Sequence, residues 1–159
     1  MKSENGEIVK QYIEDILNTG NDKNLSDFIS PHYTELFNDK RYRLGIEGMR
    51  KKISNIRERY PDLKLSIDLQ TIEGDWVITS YMMKGTQCGS WMGLIPTKKT
   101  IELWGVNIDK IVNGKIMEHT SSTHLLDPLI GIHKHPLSSN ENSMKIFSPS
   151  DNNHVAAGC

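Results

Sequence analysis

Residues 100–124 read TIELWGVNIDKIVNGKIMEHTSSTH, and this stretch decides the fold. Asn113-Gly114 is a two-residue hairpin signal, because both residues tolerate the positive φ of a type I′ turn. It separates a strand over 100–112 from a second over 115–124. A two-residue turn pairs Val112 with Lys115. An uninterrupted ladder then pairs Asp109 with Glu118, Asn107 with Thr120, Gly105 with Ser122 and Leu103 with His124. Alternation gathers Leu103, Gly105, Asn107, Asp109, Glu118, Thr120, Ser122 and His124 on one face. Trp104, Val106, Ile108, Lys110, Met117, His119 and Thr123 take the other. The first face is polar around a glycine, as a ligand floor would be. The second is bulky and mostly apolar, which suits a covered face or a contact with a second copy.

Working outward, Leu63, Leu65, Ile67 and Leu69 alternate with polar residues and predict a half-buried strand. Glu73-Gly74-Asp75 turns the chain into another strand over 76–85. A loop around 89–97 contains Gly93 and Pro96. Upstream, Ile8, Tyr12, Ile13, Ile16 and Leu17 recur at helical spacing after Ser3 and Asn5, the candidate caps. This helix is expected to end near Gly20. A short helix over 22–29 stops at Ser30-Pro31. A third carries Ile46, Met49, Ile53 and Ile56 and breaks at Tyr60-Pro61. Residues 32–43 mix aromatic and polar side chains and receive no assignment. Three helices followed by a meander predict an α+β fold. Residues 1–132 form the expected domain. Residues 133–159 are polar and aperiodic, and they read as a flexible tail docked at most through Ile146-Phe147.

The chain has 159 residues, with 19 Lys plus Arg against 20 Asp plus Glu, so no global field favours nucleic acid or an anionic membrane. Arg50, Lys51, Lys52, Arg57 and Arg59 interleave with Ile53 and Ile56, as the wet face of an amphipathic helix does. Cys88 and Cys159 have no metal-type spacing, and Cys159 is the last residue, so no structural disulfide is expected, which fits a reducing compartment. The first twenty residues carry Glu4, Glu7, Lys10, Glu14 and Asp15 and do not read as an export signal. No apolar run reaches membrane-spanning length. These features together predict a cytoplasmic protein.

Several segments resemble the SnoaL-like polyketide cyclase (ester cyclase) group of the NTF2-like superfamily. They are IVKQYIEDILNTGN (8–21), GIEGMRKKI (45–53), YPDLKLSI (60–67), EGDWV (73–77), MGLIPTKK (92–99), GVNIDKI (105–111) and NGKIMEH (113–119). The resemblance covers about residues 7–132. It implies a cone in which three helices pack on a strongly curved, mostly antiparallel sheet around a ligand pocket. It also implies a metal-free, cofactor-free, aldol-type ring closure with an aspartate handling the proton near the end of the last strand. His124 stands at that aspartate's place, and Thr120 replaces a tryptophan. Ile95 replaces a proline and Lys98 a glycine in the loop. The pocket-facing acid of ketosteroid-isomerase-like members corresponds to Asn107.

A neutral His124 would take a proton α to a carbonyl while Asn107 donates to the developing enolate oxygen. Thr120, Ser122, Trp91, Tyr33 and Asp109 are the expected substrate contacts, for a small apolar carbonyl compound. A histidine that only closes a core hydrogen bond is the plainer role for His124, and core packing is the plainer one for Trp91 and Tyr33. The competing function is a non-catalytic ligand-binding or interaction domain. Hydrolysis of a strained ring such as an epoxide would use Asp109 to position water. His133 and His135 lack the carboxylate partner a metal site would need. The Trp104, Val106, Ile108 and Met117 face predicts a homodimer.

Overall fold

The computed structural model describes residues 2–90 and 95–124. The apolar spacing of the N-terminal segment produces helix α1 (Lys2–Gln11), which runs directly into a π-helical segment, π1 (Tyr12–Leu17). The wider π turn sends Tyr12, Ile13 and Ile16 together into the core. Ser3 and Asn5 lie inside α1 rather than capping it, because the helix already begins at Lys2. The Asn5 amide instead donates to the Gly74 carbonyl at 3.3 Å. Gly20 ends the helix at φ 71°, with its N–H on the Ile16 carbonyl at 2.8 Å.

Helix α2 (Leu25–Phe28) is shorter than expected, because Ile29 already starts strand β1 (Ile29–Phe37). Ser30 and Pro31 therefore lie within a strand. The unassigned stretch folds as a hairpin of β1 with β2 (Lys40–Arg43), turned by Asn38 and Asp39 at φ 47° and 60°. Helix α3 (Gly45–Arg59) buries Met49 and Ile53. Its basic face is engaged as well as wet: Arg50 meets Asp22 at 3.5 Å, and Arg57 donates to the Leu17 and Pro61 carbonyls.

The remaining strands are β3 (Lys64–Glu73), β4 (Trp76–Thr86), β5 (Thr100–Val112) and β6 (Lys115–His124), close to their predicted limits. All six strands form one sheet in the order β2-β1-β6-β5-β4-β3, antiparallel except where β1 meets β6. The ladder breaks register in β3 between Ile67 and Leu69, and again where β5 meets β6. Such bulges sharpen twist and bend a sheet. The concave face buries Val77, Thr79, Tyr81 and Met83 of β4 and Leu103, Asn107, Asp109 and Ile111 of β5 beneath the helices. The convex face leaves Trp76, Ile78, Met82 and Trp104 about 40% exposed.

Gly105 is needed for this packing. A Cβ there would lie 2.5 Å from the Tyr81 hydroxyl oxygen and 2.6 Å from Tyr81 Cζ. Gly105→Ala is expected to cost about 1–3 kcal/mol by overpacking, read as a lower urea midpoint with an unchanged m value.

On the outer edge of the sheet, Asn18 imitates a neighbouring strand. Its amide accepts from Leu65 N–H at 2.7 Å and donates to Leu65 C=O at 2.9 Å. The Cys88 N–H donates to the Arg59 carbonyl at 2.8 Å. The chain's other cysteine, Cys159, and the whole expected tail lie outside the described residues. Among the described residues, no helix is long and apolar enough to cross a membrane.

Candidate active site

The Asn113-Gly114 turn forms as its residues dictate, with φ 51° and 73°, and Val112 pairs with Lys115. Three residues later the ladder departs from the uninterrupted register. Ile111 pairs with Ile116, but Lys110 pairs with Glu118, leaving Met117 as the extra residue of a bulge. The later β6 residues as far as Ser122 therefore trade faces. Asp109 faces His119 instead of Glu118, and Asn107 faces Ser121 instead of Thr120.

This shift corrects several expected contacts. Thr120 pairs with Ile108, in the convex set, and its hydroxyl donates to the Leu36 carbonyl at 3.2 Å. Ser122 pairs with Val106 and is exposed. Neither shares the floor with Asn107. His124 pairs with Trp104, not Leu103. Glu118, once placed on the floor, joins the convex face, where Arg41 and Lys110 ion-pair with it. The Arg41 hydrogen bond, working against modest burial, lowers the Glu118 pKa. Trp91 lies outside the described residues.

Asn107, Asp109 and Tyr33 do occupy the concave side, all buried. There Asp109 meets His119, its carboxylate oxygen 2.7 Å from imidazole Nδ1. The Asp109 side chain is 4% exposed and that of His119 is 15% exposed, so the imidazole is the more accessible of the two. The Tyr33 hydroxyl donates to Glu35 Oε1 at 2.7 Å, and Lys52 of α3 ion-pairs with the same oxygen.

Burial raises the Tyr12 pKa well above the phenol range, and the charges of Asp109 and Glu35 raise it further. Tyr33 is raised by burial first, then by its phenolic and carboxylate neighbours. Both therefore remain O–H donors at neutral pH. Burial also pushes the Glu35 carboxyl upward. Lys52, with smaller help from His119 and the Tyr33 hydroxyl, outweighs it and leaves the carboxyl below its ordinary 4.5.

That lowered value is a stability statement. Glu35 stabilises the fold fully above its unfolded value, and the contribution fades as pH falls from about 4.5 through the lower folded value. Glu35→Gln is expected to flatten the acid-side loss of thermal midpoint in that window. An unchanged profile would remove Glu35 from it.

His119, Glu35, Lys52 and Tyr12 join the cluster without a local sequence pattern that marks them as site residues. His119 was hidden by one bulge residue. The other three come from elements whose convergence no local pattern announces, although Tyr12 was legible as an inward position. The concave cluster is separate from a surface groove of about 610 Å³ lined by Lys10, Glu14, Lys64 and Gln70 among others.

The family described as SnoaL-like polyketide cyclase matches residues 7–129. The chain belongs to this family. Solved structures similar to this SnoaL-like chain agree on the fold. A protein from Jannaschia sp. CCS1, described as a SnoaL-like polyketide cyclase, superposes with TM-score 0.71 at 22% identity, over 85% of this chain and 95% of that one. AclR from Streptomyces galilaeus, described as a hydroxylase, gives TM-score 0.70 at 21% identity, over 88% and 87%. IdmH from Streptomyces antibioticus, described as a polyketide cyclase, gives 0.64 at 20%, over 79% and 93%. No curated protein matches the sequence. The fold expected for this SnoaL-like chain is the one found, an α+β cone of the NTF2-like type with a curved, mostly antiparallel sheet.

Proposed function

We propose that this SnoaL-like protein catalyses cofactor-free proton transfer at the carbon next to a carbonyl, in an aldol-type cyclisation or an isomerisation of a small apolar compound. The observation that carries the reading is the Asp109–His119 pair on the concave face. Asp109 accepts the Nδ1 proton, which fixes the tautomer with Nε2 unprotonated and basic. Nε2 removes the α proton as the C–H bond breaks. The Tyr12 hydroxyl or the Asn107 amide donates a hydrogen bond to the enolate oxygen. In a cyclisation the enolate carbon bonds to a second carbonyl carbon, and the imidazolium returns its proton to the new alkoxide. In an isomerisation the proton returns to a different carbon. Either sequence balances without oxidant, reductant or metal.

Family membership supports this choice, although the fold alone does not select a chemistry, as the differing descriptions of AclR and IdmH illustrate. The test is exchange of the acidic C–H of an aromatic β-keto ester in D₂O, followed by proton NMR. Exchange well above the buffer rate is expected. Saturable binding of the ester without exchange would favour a non-catalytic ligand-binding domain.

The convex apolar face is our proposed homodimer contact. Ile78, Met82 and Trp104 sit there beside Ile108, with Leu69 63% exposed on β3. Light scattering at micromolar concentration is expected to give twice the chain mass of 18.1 kDa. Trp104→Lys is expected to halve it. A monomeric wild type would end the idea.

A further inference from the structure

We propose that Glu35 is a positioning residue that, with Lys52 as its counterweight, sets how readily His119 holds a proton. Glu35 of β1, His119 of β6 and Asp109 of β5 are register partners in turn, so they form one row across three adjacent strands. The imidazole stands between two carboxylates. Asp109 binds it directly. Glu35 is held beside it by the Tyr33 hydroxyl and the Lys52 ammonium.

The charge count gives the arrangement a purpose. Asp109, Glu35 and Lys52 sum to one negative charge, while Tyr12 and Tyr33 remain neutral phenols. Proton uptake by His119 brings the cluster to zero. Glu35 therefore favours the imidazolium, and Lys52 disfavours it. The interaction is reciprocal, and the His119 charge in turn favours the ionised form of Glu35. A base must take a proton and release it within each turnover, so opposing neighbours that balance its affinity suit the role. This purpose rests on the proposed proton transfer, but the charge effect itself does not.

The test follows the His119 imidazole resonances against pH by two-dimensional NMR, which requires no substrate. Glu35→Gln preserves shape and the Tyr33 contact, and is expected to lower the titration midpoint. Lys52→Met is expected to raise it. A merely structural pair would move both midpoints together or not at all, and either result would overturn the proposal. A loss of C–H exchange in His119→Ala tests the catalytic reading separately. Opposite midpoint shifts with exchange intact in His119→Ala would uphold the charge effect and remove only its catalytic purpose.

Discussion

Replacing His119 by Ala is expected to slow C–H exchange by about 10²–10⁴-fold, the usual contribution of a positioned general base. The loss follows from the absent Nε2 and not from unfolding, so the circular dichroism spectrum is expected to stay native. Asp109→Asn makes the sharper companion. An asparagine amide turned to donate to Nδ1 forces the proton onto Nε2 and removes the basic nitrogen, although imidazole and amide still fit. It is expected to lose activity on a similar scale. His124→Ala is expected to leave exchange within about twofold, well inside the factor assigned to a general base. Retained exchange in His119→Ala with loss in His124→Ala would move the chemistry to the strand end and reverse our assignment.

Ile13→Ala is expected to cost about 2–5 kcal/mol, the range for emptying a buried Ile position. Ile13 is 1% exposed and lies in π1 beside Tyr12 and Ile16, where helix meets sheet. A domain of this size has only about 5–15 kcal/mol of net stability, so the variant is expected to lose a large share of it. Denaturant titration reads the change directly. A shift below about 1 kcal/mol would mean that the π segment relaxes to fill the space.

Strand alternation and one Asn-Gly turn were enough to place β3, β4, β5 and β6, because side-chain period and turn geometry are local properties. The β1–β2 hairpin escaped notice because Asn38-Asp39 takes positive φ without the glycine that usually marks such a turn. The β5 half of the floor was legible, since Leu103, Gly105, Asn107 and Asp109 all face inward as alternation requires. The β6 half was not. A bulge obeys no composition rule, and a single extra residue at Met117 exchanged Thr120 and Ser122 for His119. Glu35 and Lys52 were out of reach for another reason. Their pairing joins a strand to a helix, and it exists only once α3 lies across the concave face.

Asn18 has a consequence for life in a crowded solution. A sheet with a free outer strand invites any extended peptide to add itself, and repeated addition builds fibres. Here a side-chain amide already occupies the Leu65 docking point with both hydrogen bonds made. A visiting strand must first evict it. Asn18→Ala would reopen that position without touching the concave cluster. The variant is expected to match the wild-type protein in the C–H exchange assay while precipitating sooner on storage, a colloidal penalty for losing one amide.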